Sequence, residues 1–247
     1  MLAKSSPSIP LLLVFNLLGA TLVFSWFSSA QAFWARLDEL VFLDTNAWLT
    51  EDNVVWLWLV GLSNLRLFDL AGMLAMLALY LWAMARDPDP RDRVLRWGAY
   101  GLTMLFVALL MAVWSHLVMD AARPSPTLVY VESQRISDLL PIATKDSSES
   151  SFPSDHAVNF FLFTAFMWRL AGARVMLVSL LMAIVLSAPR IVGGGHWFSD
   201  VYFGGIAINL IVAPWFLLTP LGAILARFFM HVLANLWDAL PPLKRNT

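Results

Sequence analysis

Six long apolar blocks separate short polar segments of the sequence, and they restrict the possible folds more than any other feature. Each is close to the length that crosses about 30 Å of hydrocarbon as an α-helix: Leu11–Ala30, Leu67–Ala85, Trp97–Met119, Val158–Ala171, Val175–Val192 and Val201–Leu218. The fourth block is the shortest, and it reaches a comfortable length only if His156 and Ala157 belong to it. Within lipid only helices and closed barrels satisfy the backbone, and the blocks lack the two-residue alternation of barrel strands. The sequence therefore predicts an all-α integral membrane protein with about six transmembrane helices.

The composition agrees with this class and excludes several others. Of 247 residues, 60% are hydrophobic and only 13% are charged, whereas a soluble domain of this length needs more polar surface. The net charge of −1 gives no basis for a nucleic-acid partner. The chain has no cysteine, which excludes disulfides and thiolate metal sites.

The first block ends in Ala30-Gln31-Ala32, a sequence similar to a signal-peptidase site. The apolar region of a signal peptide has about 7–15 residues, and the stretch from Ile9 to Ala30 is longer. We therefore expect the first block to be an uncleaved span.

Lys and Arg are distributed unequally between the two sides of the predicted bundle. Short cytoplasmic loops of membrane proteins carry an excess of these residues. Segment 86–96 is the densest basic cluster, and placing it in the cytoplasm puts ten of the sixteen cations on that side: Lys4, Arg86, Arg91, Arg93, Arg96, Arg169, Arg174, Arg227, Lys244 and Arg245. Both termini are then cytoplasmic, and the motifs described below face the outer side.

The segments between the blocks suggest one domain. We expect a single transmembrane catalytic domain over residues 1–247, with an outer loop over about 120–152 and an amphipathic C-terminal helix over about 227–240. The outer loop is the longest polar stretch, and loops of that length are more often functional than mere connectors. Residues Val54–Leu62 are apolar but too short to span, so we expect them to lie in the interface or re-enter the membrane.

The most informative motif on the outer side is Arg190-x5-His196-x3-Asp200. The i,i+4 spacing of His196 and Asp200 predicts imidazole and carboxylate on one helix face, within hydrogen-bond reach. A carboxylate bound to one ring nitrogen fixes the tautomer and leaves the other nitrogen free to attack. Arg190 offers a planar fork suited to phosphate oxygens. The alternative is an interfacial His beside a helix-capping Asp, after a hinge formed by Gly193–Gly195.

The second motif, Pro153-Ser154-Asp155-His156, stands where the fourth block begins. In a functional interpretation the Ser154 hydroxyl binds phosphate oxygens and His156 is a general acid. In the simpler interpretation Pro153 ends the loop, Ser154 or Asp155 caps the helix, and His156 has no role. Taken alone, capping is the better explanation.

Arg123 and Lys145 each fit the ordinary role of a solvated interfacial cation. Their occurrence beside two histidine motifs on one membrane face changes the interpretation. Four cationic or imidazole groups that converge there require an anion, and phosphate fits best.

Together these motifs resemble the three signatures of the type 2 phosphatidic acid phosphatase superfamily: Arg123-Pro124, Pro153-Ser154-x-His156 and Arg190-x5-His196-x3-Asp200. The resemblance covers roughly the C-terminal two thirds of the chain and implies a six-span bundle. It also implies a mechanism without metal or cofactor in which His196 attacks phosphorus and becomes a phosphohistidine. Asp200 would orient His196, and His156 would act as acid and then as base. The phosphate oxygens would be held by Arg123, Ser154, Arg190 and, from the outer loop, Lys145.

Three positions depart from the family pattern. His116 stands where a Lys is usual, Asp155 where a Gly is usual, and Pro189 where a Ser is usual. An acid at Asp155 would repel phosphate unless a cation pairs with it, and Lys145 is the candidate.

A narrower resemblance, over nearly the whole chain, is to the lipid A 1-diphosphate synthase branch of the superfamily. It rests on segments 62–69, 125–128, 144–146, 151–156 and 196–200. It implies transfer of phosphate from undecaprenyl diphosphate to the 1-phosphate of lipid A, the anchor of lipopolysaccharide. The site would then face the periplasm from a bacterial inner membrane. Arg66, Lys145 and Arg135 are available on the outer side for an acceptor subsite.

Two rival interpretations remain open. One is a phosphatase with the same site that passes the phosphoryl group to water, such as an undecaprenyl-diphosphate phosphatase. The other is a bis-histidine haem protein or a lipid-binding membrane protein, because the chain has four histidines. Against haem, His231 falls on the predicted cytoplasmic side.

Overall fold

The computed structural model of the chain describes residues 8–118 and 123–239, without the side chains of His116 and Val118. The departure noted at His116 therefore lies outside the described side chains. The helices are α1 (Ile9–Phe27), α2 (Gln31–Asn46), α3 (Val54–Ser63), α4 (Arg66–Ala85), α5 (Arg93–Val118), α6 (Pro126–Val129), α7 (Ile136–Leu139), α8 (Asp155–Ala171), α9 (Ala173–Val192), α10 (Gly205–Leu217) and α11 (Pro220–Ala239). A π-helical segment, Ser199–Gly204, leads directly into α10.

Six helices are long and apolar enough to cross a membrane, as predicted: α1, α4, residues 93–115 of α5, α9, the segment 199–217 that joins the π-helical turn to α10, and α11. The set differs from the prediction at two helices, because α11 is included and α8, with 17 residues, is too short. However, α8 still connects the two ends of the bundle. Near its start, His156 lies beside Asp69 at the start of α4. Near its end, the Arg169 guanidinium donates to the Leu217 carbonyl at the end of α10. The helix does include His156 and Ala157, which gives it a length of about 26 Å.

Helix α11 begins seven residues earlier than the predicted amphipathic helix, at Pro220, and the predicted end at Leu240 lies outside the described residues. Both ends of α11 lie at one end of the bundle. Its start follows α10 directly, and Trp237 near its end shares a surface pocket with Arg93 and Val94 at the start of α5. The helix therefore lies against one end of the bundle, although its length and composition would suffice for a crossing. That this end faces the cytoplasm stays a prediction.

The first and last long helices before α11 pair closely. The Asn16 amide on α1 donates to the carbonyl oxygens of Leu210 and Ile211 at 3.1 Å, and the Trp215 indole donates to the Asn16 oxygen at 3.0 Å. Gly19 is required at this contact, since a Cβ there would lie 2.7 Å from the Ile211 side chain. Packing and partly buried hydrogen bonds therefore join the first and last of these helices.

Aromatic rings fill the core where α1 approaches the second and third sequence motifs. The Trp26 ring stacks on Phe152 and Phe203 with ring centroids 5.3 and 5.0 Å apart. Phe152 precedes α8 and Phe203 belongs to the π-helical segment, so α1 directly supports both motif-bearing elements. We call this end of the bundle, formed by the starts of α4 and α8 and by residues 193–204, the site end.

Candidate active site

His196 lies in a turn before the helix rather than on it. Its backbone N–H donates to the Arg190 carbonyl at 3.0 Å, and Gly194 takes a left-handed φ of 75°. A Cβ on Gly194 would lie 2.5 Å from Thr127, and one on Gly195 would lie 2.5 Å from the Lys145 carbonyl. The triple glycine therefore admits two outer-loop segments, and the predicted placement of His196 on a shared helix face is wrong.

The His196 ring is oriented by a backbone carbonyl. Its Nδ1 lies 2.7 Å from the Ser151 oxygen and 3.9 Å from the nearer Asp200 oxygen. A carbonyl only accepts, so Nδ1 carries the proton and Nε2 keeps a free lone pair. Burial lowers the pKa of His196 to about 4, against the opposing effect of the Ser151 bond. The imidazole is therefore neutral at pH 7, as a nucleophile requires.

Asp200 is fully buried and has other partners. One carboxylate oxygen accepts the Trp197 N–H at 2.8 Å and the other accepts Arg123 Nη1 at 2.7 Å. The first bond caps the helix that follows. The predicted hydrogen bond to His196 is therefore wrong, because the glycine turn takes His196 off the helix, and Asp200 accepts a backbone N–H at the start of that helix instead.

Arg123 is held by carboxylates. Besides Asp200, its Nη2 contacts Asp38 at 2.6 Å and its Nη1 donates to the Ser199 hydroxyl at 2.9 Å. Asp38 is 1% exposed and also accepts the Ser199 N–H at 2.8 Å. The sequence offered no signal for Asp38 beyond its place in an acidic segment.

Two indole rings enclose the same guanidinium. The Arg123 carbon Cζ lies 4.9 Å from the Trp26 ring centroid and 4.8 Å from that of Trp197. Stacking on indole rings suits a planar guanidinium better than a compact ammonium. Arg123 therefore joins α1, α2 and the π-helical segment at the base of the site.

A second carboxylate, Asp69 on α4, gathers three of the predicted site residues. The Lys145 ammonium contacts it at 2.5 Å, His156 Nε2 lies at 3.3 Å, and the Arg190 guanidinium also bonds it. Lys145 therefore pairs with Asp69, and its predicted pairing with Asp155 is wrong. The prediction that these cations need an anion must be revised as well, because protein carboxylates already neutralise them.

Asn64, at the end of α3, fixes the position of this cluster. Its amide donates to the Pro189 carbonyl at 2.8 Å, and its backbone oxygen accepts the Lys145 N–H at 3.1 Å. Arg190 Nη1 approaches the Asn64 side-chain oxygen at 3.4 Å. The early segment quoted for the resemblance contains Asn64 and Asp69, but sequence reasoning assigned neither a role.

Ser154 presents a polar atom without a partner. It immediately precedes α8 without capping it through the side chain, and its backbone N–H donates to the Asp200 carbonyl at 3.1 Å. The residue is 1% exposed, and its Oγ has no hydrogen-bond partner within the part of the chain that the structure describes. A buried hydroxyl of this kind is costly unless a ligand satisfies it.

A cavity of about 470 Å³ opens between α4, α5 and α8. Asp69 and His156 stand among its polar lining, and the remainder is mostly apolar: Met73, Met76, Met104, Leu105, Phe160 and Phe163. A cavity with charged groups and a long apolar wall suits an amphiphile. Across residues 8–118 and 123–239, no cluster of three His, Asp or Glu side chains is arranged to hold a metal ion.

Comparison with known proteins gives two matches. The model of the PAP2 superfamily matches residues 96–223, which include all three motifs. Lipid A 1-diphosphate synthase of Escherichia coli (strain K12) is 37% identical over 225 residues, which cover 90% of this chain and 93% of that protein. No solved structure matches.

Proposed function

We propose that this chain, which belongs to the PAP2 superfamily, transfers a phosphoryl group from undecaprenyl diphosphate to the 1-phosphate of lipid A. The products are lipid A 1-diphosphate and undecaprenyl phosphate. Membership of the family makes the chain a lipid phosphatase or phosphotransferase enzyme. The lipid A product rests on one observation, the 37% identity over nearly the full length of a protein named lipid A 1-diphosphate synthase. The donor, undecaprenyl diphosphate, is the one that the resemblance of the sequence motifs implies.

In the first half-reaction, His196 Nε2 attacks the terminal phosphorus of the donor. The bond to the bridging oxygen breaks, undecaprenyl phosphate leaves, and a phosphohistidine forms. His156 is the general acid for the departing oxygen, and Ser154 Oγ, which lacks a described partner, binds a phosphoryl oxygen. The neutral, Ser151-oriented imidazole supports this role for His196.

The remaining phosphate-binding residues are proposed to be Arg190, Lys145 and Arg123. Arg190 and Lys145 meet at Asp69, beside His156. Arg123 keeps its contacts with Asp38 and Asp200, so it holds the π-helical segment while it contributes positive charge to the phosphate site.

In the second half-reaction, an oxygen of the lipid A 1-phosphate attacks the phosphohistidine. The phosphorus–nitrogen bond breaks and His196 returns to its neutral form. His156 aligns the acceptor and takes up any proton that it carries. No metal ion or cofactor enters either step.

The cavity between α4, α5 and α8 supports a lipid substrate. It places an apolar wall directly beside His156 and Asp69, so the start of an isoprenoid or acyl chain can lie there while the phosphate occupies the cluster. We place the site end at the periplasmic face of the bacterial inner membrane, because the dense basic segment 86–96 lies at the opposite end.

The rival function is a phosphatase that uses water as acceptor, since the first half-reaction is the same. The deciding experiment incubates purified protein with undecaprenyl diphosphate labelled in its terminal phosphate, with and without lipid A, and separates the products by thin-layer chromatography. We expect label in lipid A 1-diphosphate and little inorganic phosphate. Equal release of inorganic phosphate in both reactions, with no labelled lipid A, would replace the transferase by the phosphatase.

A further inference from the structure

Asp69 lies at the centre of three hydrogen-bond donors of the kind that proteins use to bind phosphate. One carboxylate oxygen, Oδ1, contacts both the Arg190 guanidinium and His156 Nε2. The other oxygen, Oδ2, contacts the Lys145 ammonium. A guanidinium, an ammonium and an imidazole around one anion form the arrangement that proteins use for phosphate. Here the anion is a carboxylate of the protein itself.

The three donors have little capacity for a second anion while Asp69 stays in place. Arg190 is 3% exposed, and its other terminal nitrogen is directed at Asn64 at 3.4 Å. The tip nitrogen of His156, which would reach a substrate oxygen, already faces Asp69 at 3.3 Å. A phosphate that is to use these donors must take them from the carboxylate.

We infer that Asp69 is a positioning residue that holds Lys145, Arg190 and His156 in place for the phosphate and is displaced when the phosphate binds. This inference rests on the proposed function and deepens it, because it names the group that exchanges with substrate. The same exchange happens twice in each cycle, once for the donor and once for the acceptor.

The surroundings of Asp69 allow this movement. Its side chain is 17% exposed, and the residue lies in the first turn of α4, where the helix N-terminus stabilises a carboxylate. The side chain also borders the cavity beside Met73, so it has free space next to its present position. A carboxylate that stays nearby returns as the phosphate departs, and so promotes release of the product.

The experiment is a phosphorus NMR titration of the purified, full-length protein with inorganic phosphate. Asp69→Asn should bind phosphate more tightly, on the order of tenfold, because the competing charge is gone. The control is Asp155→Asn, which removes an equal charge from an exposed residue of the same cavity. Among the described residues Asp155 forms no ion pair with Lys145, Arg190 or His156, although its charge acts on the adjacent His156. The control variant should change phosphate affinity by less than about twofold.

Unchanged or weaker phosphate binding in Asp69→Asn overturns the inference, and so does equal tightening in both variants, which would indicate a general field effect. Turnover gives a further readout: Asp69→Asn should lower KM for the donor together with kcat, whereas loss of a purely structural residue leaves KM unchanged or higher.

A second measurement uses the wild-type chain and so does not depend on the folding of a variant. A structure with bound inorganic phosphate should show phosphate oxygens on Lys145, Arg190 and His156, with Asp69 beyond hydrogen-bond distance of all three. Asp69 still bonded to them would contradict displacement. Neither measurement depends on the lipid acceptor, so failure of the proposed function appears separately, in the product assay.

Discussion

The Nδ1 atom of His196 lies 2.7 Å from the carbonyl oxygen of Ser151. This contact performs the orienting task that triads usually give to a carboxylate. Because a backbone oxygen is not removed when a side chain is substituted, no single side-chain replacement deletes the group that fixes the His196 tautomer. Substitution of His196 should therefore abolish activity, whereas substitution of Asp200 should only reduce it.

His196→Ala should reduce turnover by about 10⁴-fold or more, since the nucleophile is lost. Asp200→Asn should retain measurable activity, because an amide oxygen still accepts the Trp197 N–H while the charge that holds Arg123 is weakened. Single-turnover assays of both variants, with trapping of acid-labile phosphohistidine, check the difference. Substantial activity in His196→Ala would remove the nucleophile assignment, and complete loss in a folded Asp200→Asn would restore a direct role for the carboxylate.

The lowered pKa of His196 predicts a specific dependence of stability on pH. The native imidazole stays neutral until about pH 4, whereas the unfolded one protonates near pH 6.5. The stabilisation is therefore complete above pH 6.5 and is lost as the pH falls towards 4, by about 3 kcal/mol at most. His196→Asn should lose less stability than wild type over this range in thermal melts in detergent. Parallel curves for both proteins would contradict a buried neutral His196.

Asp38 and Glu39 are adjacent on α2 and form a matched pair. Asp38 is buried against Arg123 and Ser199, whereas Glu39 pairs with the exposed Arg36 at 2.5 Å. Asp38→Asn should lower the free energy of unfolding by about 3 kcal/mol and reduce activity, because a buried pair is broken. Glu39→Gln should cost less than about 1 kcal/mol. Similar melting temperatures and turnover rates for both variants would show that the Asp38–Arg123 contact contributes neither to stability nor to activity.

Arg66 precedes Asp69 by three residues and is exposed at the start of α4, so it lies on the same helix face nearer the helix end. We expect it to contact the acceptor phosphate. Arg66→Gln should slow formation of lipid A 1-diphosphate several-fold while leaving donor cleavage in the absence of lipid A unchanged. Arg36→Gln is the control, since it removes an exposed cation from α2. Equal slowing of both half-reactions in Arg66→Gln would exclude an acceptor-specific role.

Single cysteines can test the orientation, because the chain has none of its own. Glu149 and Asp89 are both exposed, in the outer loop and in the basic segment respectively. Glu149→Cys should react with a membrane-impermeant maleimide added outside spheroplasts, and Asp89→Cys only after permeabilisation. Labelling of both cysteines from outside would contradict a cytoplasmic position of segment 86–96, and with it the argument for a periplasmic site end.

The spans were predictable because their signal is local: a run of apolar residues identifies a helix without knowledge of its neighbours. The gathering of His156, Lys145 and Arg190 also followed from motifs near span ends. The carboxylate partners did not, because Asp69 lies 76 residues from Lys145 and Asp38 lies 85 residues from Arg123. The turn that takes His196 off the helix was missed for a related reason. Its glycines leave room for Thr127 and the Lys145 carbonyl, which belong to a loop far away in the sequence.

The pairing of α1 with α10 also bears on how the chain is made. Asn16 and Trp215 are 199 positions apart, so the first helix enters the membrane long before its partner exists. Until then the Asn16 amide lacks the two carbonyl oxygens that it later bonds, which is costly in hydrocarbon. Pairing with α10 therefore removes a cost that α1 carries while it is alone in the membrane. Because His196 and the π-helical segment directly precede α10, the segment that carries the proposed nucleophile is synthesised just before the helix that pairs with α1.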